Sequence, residues 1–150
     1  MFHHAIRITG NKDDAEDVLH DSFIYAFDHL HQVSNTAAFG SWLRRIVVGN
    51  AIRFCKKEFR WNSLDEDHNQ GISADEDPWW LDISMEAAHE AIKSLPDGCR
   101  QVFVLYVFED FAHKEIAGSL GISESTSKSQ YQRARQLLKE RLTKKKEAYG

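Results

Sequence analysis

A single glycine does most to limit the folds open to this chain. Gly121 separates two stretches whose apolar residues recur at helical spacing, and glycine alone adopts without steric cost the positive φ that stops one helix and lets another start at an angle. Ile116, Ala117 and Leu120 give the first stretch its apolar side, Ile122 plugs the turn, and Ser123 is of the type that caps a helix N-terminus. Small Ala117 lets the two helices cross closely, so the segment from His113 to Arg135 fits a helix-turn-helix. In its second helix Ser127, Tyr131, Ala134 and Leu138 share an inward face, which leaves Lys128, Ser129, Gln132 and Arg133 outside. Arg, Lys and Gln at the start of such a helix hydrogen-bond base edges in the major groove, and Thr126 with the first backbone amides is placed to hold a phosphate. An antiparallel hairpin with a solvated basic face is the plainer alternative. From Lys128 to Lys146, however, eight basic residues stand against the single acid Glu140, more cation than solubility requires. Lys139, Arg141, Lys144, Lys145 and Lys146 add unspecific phosphate attraction.

Elsewhere strand-like alternation is nearly absent and only 8 glycines and 2 prolines punctuate 150 residues, so the fold class is all-α. The pattern predicts a helix from about Lys12 to Leu30, its stripe formed by Ala15, Val18, Leu19, Ser22 and Ala26 and widened by Phe23, Phe27 and Leu30. After a loop at His31 to Ala37, a second helix runs from about Ala38 to Phe59, with Trp42, Leu43, Ile46, Val47, Ala51, Ile52 and Phe54 toward the first. Residues 1–61 thus form one small helical domain, 62–84 an acidic linker, and 85–150 a helix-turn-helix domain of the winged-helix-like, four-helix kind. The last domain reads as helices near Met85 to Ser94, Asp97 to Val107, Ala112 to Leu120 and Ser125 to Lys144. Trp79, Trp80 and Leu81 interrupt the linker and either dock it onto a neighbouring domain or anchor a partner.

The formal charge of −4 argues against a nucleic-acid binder until its distribution is seen. Asp13 to Asp28 holds six acids and no Lys or Arg, Trp42 to Arg60 six bases against Glu58, and Ser63 to Glu90 nine acids and no Lys or Arg. Two of the chain's blocks are therefore cationic. Cys55 and Cys99 lack metal-type pairing, and the eight histidines, including His3, His4, His29 and His31, stand in no ligand set at recognisable spacing. No metal or cofactor is expected. Without a nucleophile-base order, phosphate loop or carboxylate pair, the chain is not expected to be an enzyme; His113 is expected at the surface or on a phosphate. No stretch approaches the ~20 apolar residues of a membrane span, and Met1 to His4 lacks a signal-peptide pattern. No membrane insertion and a cytoplasmic location are expected.

Two sets of residues together carry a resemblance. Ser94 to Leu142, with Glu115, Ile116 and Ala117, then Thr126 to Gln130, then Arg133 to Arg135, resembles the promoter-binding C-terminal domain of extracytoplasmic-function sigma factors, a group of the sigma-70 family. Asp14 to Val18 with Ser22 to Ile24, then Phe39 to Val48, resembles their N-terminal core domain, in the right order. The resemblance implies promoter DNA and core RNA polymerase as partners, with an anti-sigma factor besides. It places Asp14, Glu16, Asp17 and Asp21 against the clamp helices of the polymerase largest subunit. Ser34, Asn35, Thr36 and Phe39 come near a flipped minus-ten base, Arg44, Arg45, Arg53, Lys56 and Lys57 near phosphates, and the second domain on the minus-thirty-five duplex and the polymerase flap.

The chain departs from the pattern in several places. Only Met1 to Gly10 precede the acidic motif, where the group has some twenty more residues in its first helix, so the N-terminus is expected to be short. Gly49 stands where Asn is common, with Asn50 one position on, and Arg53 where Asp is usual. Ser127 and Gln130 replace the commoner Val and Arg, which is expected to change the duplex bases read. A helix-turn-helix regulator that never engages polymerase is the alternative, and a decoy that occupies polymerase or an anti-sigma partner is a third reading. Neither the regulator nor its motif accounts for the acidic and basic blocks of the first domain.

Overall fold

The computed structural model describes residues 1–58 and 83–149, with side chains described for 1–56 and 83–144. The segment expected as linker, including Trp79 and Trp80, lies outside the described residues except for Ile83 and Ser84, as do the side chains of Lys57, Lys145 and Lys146. The described residues are helical, with no strand among them. The chain divides into two units, Met1–Trp61 and Asn62–Gly150.

The first unit is built from α1 (Phe2–Thr9), α2 (Lys12–Asp28) and α3 (Phe39–Glu58). Helix α1 was not foreseen; it is short, ends at Gly10 with φ 86°, and buries Ala5 and Ile8. It packs on both α2 and α3. Asn11 caps α2, its side-chain oxygen accepting from the Asp14 amide at 2.8 Å. The buried stripe of α2 is Ala15, Val18, Ser22 and Ala26, all small or medium, which lets α3 approach closely. Buried Ser22 donates to the Val18 carbonyl at 2.6 Å and accepts from the Asn50 amide of α3 at 2.9 Å, so both polar groups are satisfied inside the unit. Leu43, Val47, Val48, Ala51, Ile52 and Cys55 complete the core from α3.

Phe23, Phe27 and Leu30 do not widen that stripe. They are 49%, 80% and 46% exposed, because the small-residue face already fills the space against α1 and α3. Helix α2 stops at Asp28, where the His29 ring donates through Nδ1 to the Tyr25 carbonyl (2.8 Å) and stacks on the Tyr25 ring at 3.9 Å. Short 3-10 turns at Leu30–Gln32 and Thr36–Ala38 then lead into α3.

The second unit contains α4 (Met85–Lys93), α5 (Asp97–Val107), α6 (His113–Leu120) and α7 (Glu124–Tyr149). Helix α7 is central to it and packs on α4, α5 and α6. One part of the core joins Ala91, Leu95 and Cys99 to Ala134, Leu138 and Leu142. Val102, Val104, Leu105, Ile116 and Leu120 are buried in the same unit. The turn between α6 and α7 has the chemistry expected: Gly121 is at φ 71° and returns its N–H to the Ala117 carbonyl.

Candidate nucleic-acid interface

Helix α7 begins at a cap that its own residues build. Ser123 Oγ accepts from the Thr126 amide at 3.0 Å and bonds the Thr126 hydroxyl at 2.8 Å. Thr126, expected on a phosphate, is therefore only 9% exposed, with its hydroxyl engaged inside the chain. The next turn separates the polar residues by depth. Ser127 and Gln130 are buried, Ser129 and Gln132 half-buried, and Lys128 and Arg133 exposed.

Gln130 Oε1 accepts from Cys99 Sγ of α5 at 3.0 Å, and the side chains at both departures, Ser127 and Gln130, are buried in the unit. Burial pushes the Cys99 thiol above its ordinary range, opposed by the positive charges of Arg133 and Arg141. Lys128 pairs with Glu124 at 3.5 Å across one helical turn, an exposed contact worth little and easily exchanged for a phosphate. Ser129 donates to the Ser125 or Thr126 carbonyl. Arg141, expected only to add diffuse charge, donates to Ser94 Oγ at 2.7 Å and ties α7 to the end of α4.

In the first unit, α3 turns Arg45, Arg53 and Lys56 to solvent, with half-buried Trp42 and Gly49 at helical spacing along the same side. Arg44 is half-buried. Asn50 is directed into the unit at Ser22, so it does not stand in for the residue at Gly49. Ahead of α3, Thr36 and Ser34 are exposed and Phe39 is 40% exposed with its ring 6.0 Å from Trp42. Asn35 is exposed too, but its side-chain oxygen accepts from the Ala38 amide at 2.8 Å and so shapes the start of the helix.

The acidic set divides similarly. The Asp14 carboxylate accepts from the Asn11 side chain as part of the α2 cap, and Glu16 pairs with Lys12 at 3.7 Å. Asp17 and Asp21 are exposed on α2 and are followed at helical spacing by Ile24, 52% exposed, with Phe27 beside it. The sequence reading missed this apolar surface by folding Phe27 into the core. Among the described residues no group of His, Cys, Asp and Glu is placed to hold a metal ion, and no helix is long and apolar enough to cross a membrane.

Comparison with known proteins accounts for both units. Residues 1–60 match the model of Sigma-70 region 2, and residues 85–138 that of Sigma-70, region 4. The RNA polymerase sigma factor SigV of Bacillus subtilis is 30% identical over 140 residues, covering 93% of this chain and 82% of that protein. The ECF RNA polymerase sigma factor SigE of Mycolicibacterium smegmatis is 31% identical over 145 residues, covering 93% of this chain and 56% of that protein. Among solved structures, the sigma factor RpoE of Bartonella quintana, in complex with the anti-sigma factor NepR, shares the fold. Its TM-score is 0.53 at 22% identity, covering 95% of this chain and 89% of that one. A regulator that never engages polymerase would have no reason to carry the region 2 match. The chain belongs to the sigma-70 family, in its extracytoplasmic-function group of RNA polymerase sigma factors, which act by binding to direct core polymerase to promoters and start transcription.

Proposed function

We propose that the two units divide the promoter between them. The second unit, within residues 85–150, takes the upstream minus-thirty-five duplex through α7, with Lys128, Ser129, Gln132 and Arg133 toward the groove. The observation that carries this is the separation along α7. Ser127, Gln130 and Ala134 are committed to the unit's interior, while exposed Lys128 and Arg133 flank half-buried Ser129 and Gln132 on the other side. Each well-placed bidentate base contact there contributes ~1–3 kcal/mol of discrimination. Thr126 contributes through the cap and its amides rather than its hydroxyl.

The first unit, within residues 1–61, takes polymerase and the melted minus-ten strand. The cationic side of α3, with Arg45, Arg53 and Lys56, follows the strand's phosphates, and Arg44 and Lys57 are further cations of the same helix. Thr36 and Phe39 lie where an unstacked base is received, with Asn35 holding the turn that presents them. The exposed face of α2, Asp17 and Asp21 with Ile24 and Phe27, meets the polymerase clamp, with Asp14 and Glu16 at its edge. An anti-sigma factor is a further partner, and the cytoplasm the place of action.

Transcription reconstituted with core polymerase on promoter DNA tests the scheme. Wild-type chain initiates; Arg133→Ala loses about tenfold or more in promoter affinity, a loss of one base contact, without unfolding. Unchanged promoter binding by folded Arg133→Ala would remove α7 from duplex recognition. Polymerase binding without initiation would leave only the decoy reading.

A further inference from the structure

His113 opens α6 half-buried, with its ring engaged inside the unit. Its Nδ1 lies 2.9 Å from the hydroxyl of Ser127, fourteen residues on and fully buried at 0% exposure in the second turn of α7. The ring stacks on Tyr106 of α5 with centroids 4.5 Å apart and planes at 16°, and meets Tyr131 of α7 edge-on at 5.7 Å. Tyr106 and Tyr131 touch each other at 4.6 Å. One side chain therefore joins both helices of the motif to α5 at the end of α7 that carries Lys128, Ser129 and Gln132.

A buried serine hydroxyl requires a partner, and a serine within a helix usually finds it at the carbonyl one turn back. Here the hydroxyl bonds a side chain of another helix, which makes the bond depend on the rotation and height of α7 relative to α6. A β-branched apolar residue at position 127 would tolerate small slides; a hydroxyl facing a fixed ring nitrogen accepts one placement.

We infer that His113 is a positioning residue for promoter recognition: through Ser127 it sets the rotation and depth at which α7 presents its outward side chains to duplex DNA. The inference rests on α7 being the duplex-contacting helix. The role acts through Ser127 and requires no DNA contact of His113 itself. His113→Phe keeps the stack on Tyr106 and removes the bond; Ser127→Ala removes the same bond from the other side and suits a helix interior.

The test uses holoenzyme assembled from the full chain and core polymerase. Its probe is a promoter whose upstream duplex has been selected from a randomised pool by the wild-type holoenzyme. Each single variant is expected to lose about tenfold in affinity, the equivalent of one misplaced base contact. The double variant should lose no more than either single, because both remove one bond. His113→Asn, which restores a nitrogen at about the same reach, should recover most of the loss. A purely structural role would lower the unfolding temperature of these variants while leaving the folded fraction's affinity unchanged. That outcome, or losses that multiply in the double variant, overturns the inference. Arg133→Ala in the same assay separates the two levels. If it too binds as wild type, α7 is not the reading helix and the inference falls with its premise; if it binds weakly while His113→Phe and Ser127→Ala do not, only the inference falls.

Discussion

Replacing Ser123 with alanine isolates the contribution of one cap to the presentation of α7. Ser123 Oγ accepts from the Thr126 amide at 3.0 Å and bonds the Thr126 hydroxyl at 2.8 Å. Removing a serine N-cap costs ~1 kcal/mol in typical hosts. Here a second group is orphaned as well: Thr126 is 9% exposed, and a buried hydroxyl left without its partner adds roughly 1 kcal/mol. The expected loss is therefore about 2 kcal/mol, which raises the exchange rate of globally protected amides about thirtyfold. Native-state hydrogen exchange suits the question because it reads α6 and α7 separately from the first unit, and two units need not unfold together. Adding Thr126→Val to Ser123→Ala removes the orphaned hydroxyl and should return about half the loss, roughly 1 kcal/mol. A loss below ~0.5 kcal/mol would show that water replaces the cap freely. A second substitution without recovery would show that the Thr126 hydroxyl was never dependent on Ser123.

Three other substitutions probe separate parts of the chain. Gly49 lies within α3, and nothing stands within 4 Å of the place a Cβ would occupy. Gly49→Ala should therefore stabilise the first unit by ~0.5–1 kcal/mol in thermal unfolding, and a lowered midpoint would refute the open-space argument. Phe27, 80% exposed, contributes little to the core. Phe27→Ser should shift stability by no more than ~0.5 kcal/mol yet weaken co-elution with core polymerase; undiminished co-elution would remove Phe27 from the clamp face. His113 is held below its ordinary value of 6.5, first by burial and then by the Lys128 charge, with Glu124 opposing and Tyr106 and Tyr131 forming the remaining walls. The fold thus favours the neutral ring: this stabilisation is complete above 6.5 and is lost as pH falls through the lower folded value. Between roughly pH 8 and pH 5 the wild-type unfolding midpoint should fall more than that of His113→Phe, and parallel profiles would exclude His113 as the source.

The helix-turn-helix was legible because each special position answers one geometric demand. Gly121 supplies the positive φ, Ser123 the cap, and Ile116, Leu120, Ala134 and Leu138 the buried seam. Periodicity failed at Phe23, Phe27 and Leu30, since an apolar residue beside the core stripe and one facing a partner have the same spacing. The small residues Ala15, Ser22 and Ala26 held the missing signal. A stripe that small implies close helix approach, which leaves bulky neighbours outside. Asn35, Asp14 and Thr126 illustrate a different confusion. Short polar side chains at a helix start resemble ligand contacts in composition, yet each is engaged in a cap contact that spans three residues.

Helix α7 shows where polarity stops being a guide to direction. Ser127 and Gln130 are as polar as Ser129 and Gln132, but the first pair has partners on neighbouring helices, His113 and Cys99, and is buried. Helical spacing put Ser127 inward with Tyr131 and Ala134, but for Gln130 only the neighbouring helix that carries Cys99 decides. If sequence changes at 127 and 130 alter promoter choice, they must do so by moving α7 rather than by touching bases. A substitution at 130 that preserved the bond to Cys99 should then leave the selected duplex unchanged, while one that broke it should shift the preference without removing any DNA contact.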